Sequence, residues 1–108
     1  MIHSIVGEDN FQKAVLEAER PVLVDFWATW CAPCLAAAPI MEKLSGEYDG
    51  KVDFAKINVE DNSTLAAKYG IAAIPTMIVF KKGLPARQIV GLRSRKDLKQ
   101  ILDDLVEK

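Results

Sequence analysis

Val22-Leu23-Val24-Asp25-Phe26-Trp27-Ala28-Thr29-Trp30-Cys31-Ala32-Pro33-Cys34 decides how this chain folds. Its first six residues form a continuous β-type run rather than an alternating one, as expected of a central strand covered on both faces. Asp25 is the anomaly in that run. Apolar neighbours on both sides favour an inward position for its carboxyl over a strand end facing water. From Pro33 to about Tyr48 the residues Leu35, Ala36, Ala37, Ala38, Met41 and Leu44 favour helix, with Pro39 deleting one internal hydrogen bond and expected to kink it. The Cys-x-x-Cys pair therefore sits at a strand-to-helix junction.

That placement has a physical logic. Residues three apart in a helical turn have Cα atoms about 5 Å apart, within disulfide range, so the two sulfurs can bond reversibly. Cys31 lies beside the unpaired N–H groups and positive dipole end of the helix, which favour thiolate over thiol and make it the nucleophile. Cys34, one turn in, is expected to be the more buried. Pro33 suits the first turn, where its missing N–H costs nothing. Three other readings stand beside redox exchange. The cysteines could be small core residues. They could bind zinc, although His3 is the one histidine and zinc wants four ligands. They could form a structural disulfide, although so short a loop adds little stability.

Outward from this stretch, Phe11, Ala14, Val15 and Ala18 recur at helical intervals from Glu8 to Ala18, and Pro21 closes that segment. Val52 to Val59 reads as a strand. Asp61 or Asn62 can cap a short helix through Tyr69, ended by Gly70. Thr76 to Phe80 and Ala86 to Val90 are β-like, and the five residues from Lys81 to Pro85 would join them as a hairpin. Gly83 reads as an ordinary turn glycine. Ser94 and Asp97 form an acidic capping box before the amphipathic set Leu98, Ile101, Leu102 and Leu105. The order is helix, strand, helix, strand, helix, strand, strand, helix, with a short edge strand at Ile2 to Val6. Parallel βαβ pairing followed by an antiparallel hairpin predicts an α/β fold, a central mixed β-sheet flanked by helices on both faces.

The chain has 108 residues, half of them apolar and 27% charged, which suits one domain over 1–108. Folding at this length removes roughly 60 to 70% of the unfolded surface without disulfide staples or a structural metal. Fourteen Lys plus Arg against fifteen Asp plus Glu leave a formal net charge of −1, which argues against nucleic acid and anionic lipid as partners. Met1 to Phe11 lacks the basic start and long apolar run of an export signal. The longest apolar stretch, Ala28 to Ile40 allowing for Thr29, is broken by Pro33 and Pro39 and is too short to span a membrane. A soluble, cytoplasmic protein is expected. There is no linker, low-complexity block or internal repeat.

Several short motifs together carry a resemblance: Val24-Asp25-Phe26-Trp27-Ala28, Trp30-Cys31-Ala32-Pro33-Cys34, Ala38-Pro39, Lys56-Ile57-Asn58-Val59, Tyr69-Gly70-Ile71 and Ile74-Pro75-Thr76. Over nearly its whole length the chain closely resembles the thioredoxin family, which implies the thioredoxin fold and thiol–disulfide oxidoreductase activity. The resemblance implies that Cys31 attacks a target disulfide and Cys34 resolves the mixed disulfide, with no metal or bound cofactor. By the same match Asp25 is the buried carboxylate that relays a proton and Lys56 its charged partner. Pro75 matches the family's cis-proline, which faces the cysteines and leaves the Ile74 backbone free to pair with substrate. Trp30, Ala32, Pro33, Ile74, Pro75 and Gly91 would form the docking surface, whereas Trp27 is expected to pack rather than make contact. Two departures stand out: Ala32 where the family commonly has Gly, and Leu35 where a basic residue usually follows the second cysteine.

The resemblance thus implies a general protein disulfide reductase, a monomer by default. It would act on disulfide-containing target proteins and be recharged by a separate thioredoxin reductase, since the chain has no dinucleotide-binding glycine loop. Two rivals share the fold. One is a disulfide oxidase or isomerase, with a more oxidising cysteine pair. The other is a binding subunit in which thiol chemistry is incidental.

Overall fold

A computed structural model describes residues 2–106. Among them, β1 (Ile2–Ser4), β2 (Val22–Trp27), β3 (Asp53–Asn58), β4 (Thr76–Lys81) and β5 (Leu84–Val90) form a sheet in the order β1-β3-β2-β4-β5. The β1–β3 and β2–β3 pairs are parallel, whereas β2–β4 and β4–β5 are antiparallel, so the sheet is mixed as expected. The Val22 run is the middle strand.

Successive side chains of a strand point to opposite faces, and the central strands are buried on both. Leu23, Phe54, Met77 and Val79 meet Met41 and Leu44 of α2 (Ala32–Glu47) and Leu98, Ile101 and Leu102 of α4 (Arg95–Val106). On the other face Val22, Val24, Phe26, Ile57, Ile78 and Phe80 meet Phe11 of α1 (Glu8–Phe11), the following Val15, and Leu65 of α3 (Ser63–Lys68). Helices therefore cover both sides. The far end of α2 is tied to α4 where the Tyr48 hydroxyl meets the Asp103 carboxylate. Burial, followed by that carboxylate, raises the Tyr48 pKa.

Three details differ from the sequence expectation. The first helix widens: after Phe11 the chain continues as a π-helical segment, Gln12–Leu16, in which the Glu17 N–H reaches the Gln12 carbonyl at 2.9 Å. The wider turn brings Leu16 as well as Ala14 onto the core, which a regular α-period does not foresee. Asn62 precedes α3 but does not cap it with its side chain. Its buried amide instead accepts from the Gly7 N–H (2.9 Å) and donates to the carbonyls of Ile5 (3.3 Å) and Asn58 (3.0 Å), fastening α3 to the β1–α1 connection. Helix α2 runs as one element across Pro39, which has no N–H to give the Leu35 carbonyl, as expected. The Ser94 hydroxyl accepts from the Asp97 N–H at 3.1 Å as the capping box requires.

The third difference is the hairpin. The connection is not five residues but two, Lys82 (φ 52°) and Gly83 (φ 81°), both left-handed as in the turn whose twist matches the flanking strands. Leu84 and Pro85 belong to β5 because an edge strand tolerates the missing proline N–H. The register steps from Val79↔Arg87 to Phe80↔Pro85, which leaves Ala86 as the extra residue of a bulge. A Cβ on Gly83 would lie 3.0 Å from the Leu16 carbonyl oxygen. Gly83→Ala should therefore lower unfolding stability by about 1–2 kcal/mol, with close contact added to left-handed strain. Urea denaturation checks this, and an unchanged midpoint would contradict it.

Candidate functional site

The site is built where β2 ends. Ala28 is fully buried, and its carbonyl accepts from the Cys31 N–H at 3.3 Å, turning the chain so that Cys31 becomes the N-cap of α2. The Cys34 N–H, three residues on, donates to the Cys31 sulfur at 3.3 Å. Pro33 occupies the first turn, where no N–H is required. Cys31 and Cys34 form a disulfide with a Cα–Cα distance of 5.2 Å. Both are buried, Cys34 at 2% exposure and Cys31 at 5%, and they pack with Ala28, Trp27, Val59 and Ile74.

A second segment closes over the disulfide from β4. The Ile74 carbonyl oxygen lies 3.8 Å from the Cys31 sulfur, and the Ile74–Pro75 peptide is cis. Pro75 is buried, and its carbonyl accepts from the Gly91 N–H at 2.8 Å, which brings Gly91 to the same region. The Thr76 hydroxyl donates to the Ala73 carbonyl at 2.6 Å and holds the loop in shape. Trp30, Ala32 and Pro33 are exposed, Trp30 by 68%. Trp30 forms one wall of a shallow depression of about 210 Å³ that Val59, Ile71, Ala72, Ala73 and Ile74 complete. Of these lining residues, Val59, Ile71, Ala72 and Ala73 were not assigned to the site from sequence, although Val59 and Ile71 stand within the family motifs. Their signal was position, since residues 71–73 run directly into the Ile74–Pro75 pair. Larger depressions, of about 570 and 640 Å³, are lined by other residues and include neither cysteine nor Asp25.

Asp25 is 1% exposed, and its Oδ1 has no hydrogen-bond partner. In register, Lys56 stands opposite it on β3 and Met77 on β4. Burial disfavours the charged carboxylate and raises its pKa from 3.8 to about 6, with the nearby Lys56 charge opposing that rise. Trp27 is half-buried and packs against the disulfide cluster, with the Lys56 ammonium 4.2 Å from its ring centroid. Among the described residues no three His, Cys, Asp or Glu side chains gather to hold a metal ion.

The model of the Thioredoxin family matches residues 3–104. The chain belongs to the thioredoxin family. It is 45% identical over 98 residues to thioredoxin from Staphylococcus haemolyticus, covering 91% of this chain and 92% of that one. It is 50% identical over 96 residues to thioredoxin C-2 from Corynebacterium nephridii, covering 89% of each. Thioredoxin from Chlorobaculum thiosulfatiphilum is 41% identical over 97 residues, 90% of each chain. The mixed sheet and its flanking helices are the thioredoxin fold, and family and disulfide together make this protein a thiol–disulfide oxidoreductase. Its redox group is the Cys31–Cys34 disulfide itself.

The buried carboxyl makes a signed prediction. Below pH 3.8 Asp25 carries its proton folded or unfolded and contributes no pH dependence. Between 3.8 and about 6 the unfolded chain gives up that proton while the folded one keeps it, so stability falls as pH rises. Relative to low pH the loss reaches roughly 3 kcal/mol at pH 7. Asp25→Asn should remove this slope. The stability of the oxidised variant minus that of the oxidised parent should grow by about that amount from pH 3.5 to pH 7 in urea titrations, and a constant difference would contradict the assignment.

Proposed function

We propose that this protein is a cytoplasmic protein disulfide reductase, acting as a single domain over 1–108 and as a monomer. The observation that carries the reading is the Cys34 N–H on the Cys31 sulfur at the N-terminus of α2. In the reduced protein that N–H and the helix dipole stabilise a Cys31 thiolate, which attacks one sulfur of a target disulfide. The target's other sulfur leaves as a thiolate and takes up a proton. Cys34, after losing its proton, attacks the Cys31 sulfur of the mixed disulfide, releases the second target thiolate and forms the Cys31–Cys34 bond. Two electrons have moved from protein to target.

Each remaining site residue has a part in this cycle. Asp25, with a pKa raised by burial to about 6, accepts the Cys34 proton during resolution, and Lys56 supplies the opposing charge. Trp30, Ala32, Pro33, Ile74, Pro75 and Gly91 form the docking surface for an extended target segment, joined by Val59 and Ile71 to Ala73 of the depression. The direction of electron flow is supported by what α2 lacks. Ala32, Pro33, Leu35 and Ala36 bring no cation to its first turn, so no side-chain charge there adds to the helix end in stabilising the reduced form, and a less stabilised dithiol is the better reductant. A separate reductase recharges the disulfide. No helix among the described residues is long and apolar enough to cross a membrane.

Reduced Cys34→Ser should form a lasting mixed disulfide with a peptide disulfide through Cys31, seen by mass spectrometry, while Cys31→Ser should not. Adducts on Cys34 of the Cys31→Ser protein at the same rate would contradict the assigned roles. Asp25→Asn should slow resolution at pH 7 about a hundredfold or more, the range general-base catalysis supplies, and leave attack nearly unchanged. Stopped-flow rates equal to the parent's in both steps would remove Asp25 from the cycle.

A further inference from the structure

Among the described residues, the one buried side-chain oxygen without a hydrogen-bond partner is Oδ1 of Asp25. A cation stands within reach yet does not pair with it. Lys56 lies opposite Asp25 in the β2–β3 register, but the ion pairs here are Arg20–Asp53, Arg95–Glu47 and Lys99–Asp103. The Lys56 ammonium instead sits 4.2 Å from the centroid of the Trp27 ring. Trp27 is two residues along β2 from Asp25, so both side chains leave the same face of the sheet.

We propose that Trp27 is a positioning residue for Asp25, its indole face holding the Lys56 ammonium beside the carboxyl but short of contact with it. A cation over an indole face is held by the ring quadrupole, more strongly than over a phenyl ring. The lysine stem is long and flexible, and without the ring its ammonium would be free to close on the carboxylate. A direct ion pair would keep Asp25 ionised and make it a poorer proton carrier. Lys56 is the charged group whose field reaches Asp25. From β4 the facing residue is Met77, and the buried residues of α2, namely Cys34, Ala37, Met41, Leu44 and Ser45, carry no charge while the disulfide is closed. Sequence reasoning assigned Trp27 to packing, which the structure bears out. The inference adds a second role and rests on the reading of Asp25 as the site's proton carrier.

The test is a cycle of variants in the oxidised full-length chain, in which neither cysteine titrates. The Asp25 carboxyl carbon is followed by NMR across pH in the parent, Trp27→Phe, Lys56→Met and the double variant. Phe retains most of the packing, so all four proteins can be compared folded. Trp27→Phe should lower the Asp25 midpoint by about half a pH unit when Lys56 is present and leave it unmoved in the Lys56→Met background. An unmoved or raised midpoint with Lys56 present, or an equal shift in both backgrounds, would overturn the proposal. The readout is Asp25's own proton, independent of exchange rates. If the cycle behaves as expected while Asp25→Asn resolves mixed disulfides at the parent rate, the relay reading fails and the positioning role stands.

Discussion

The hydrogen bond from the Cys34 N–H to the Cys31 sulfur is the constraint on which the rest of the site depends. It requires Cys31 to be the residue just outside α2 and Cys34 the third residue inside it, the geometry in which a helix offers an unpaired N–H to its cap. The turn on the Ala28 carbonyl sets that starting point, and Ala28 is fixed because β2 lies in the middle of the sheet with neighbours on both sides. Pro33 can occupy the first turn at no cost in hydrogen bonds. The Ile74 carbonyl closes the other side of the disulfide against the Cys31 sulfur, and Cys34 is the more buried of the two cysteines.

Asp25 is the element the fold holds against its own stability. A carboxyl with an unpartnered buried oxygen is unfavourable at neutral pH. A loss of roughly 3 kcal/mol is a large share of the 5–15 kcal/mol by which domains are usually stable. It is tolerated because β2 and its neighbours β3 and β4 are packed on both faces, with apolar clusters beneath α2 and α4 on one side and beneath α1 and α3 on the other. The same burial gives the carboxyl a pKa of about 6, close enough to neutrality to take and return a proton. Burial thus costs stability at the same residue whose pKa it brings toward neutrality.

Most of the architecture was legible in the sequence, because two signals agree there. The unbroken apolar run of β2 marks a doubly covered central strand, and the Cys-x-x-Cys pair marks the start of the helix that follows. The misreadings share a cause: they fall where local backbone geometry or a distant partner decides. Lys82 and Gly83 make a two-residue turn because both take left-handed angles, and Pro85 joins β5 because an edge strand asks nothing of its N–H. Asn62 looks like a helix cap from its neighbours in sequence, but Gly7 and Ile5, more than fifty residues away, claim its amide. In the site, Cys31, Cys34 and Asp25 stood out by residue type against their surroundings. The depression beside them did not, because Val59, Ile71, Ala72 and Ala73 are ordinary apolar residues until the fold gathers them around Trp30.

The central claim is that electrons leave this protein through a dithiol stabilised by a helix end and by no first-turn cation. The most direct measurement is the reduction potential of the Cys31–Cys34 pair, obtained by equilibrating the protein with defined thiol–disulfide buffers and quantifying the oxidised fraction. The account predicts a value below roughly −240 mV, more reducing than the cytosolic glutathione pool measured by extraction. A value near −120 mV, typical of a strong protein thiol oxidant, would contradict it and reverse the direction of electron flow.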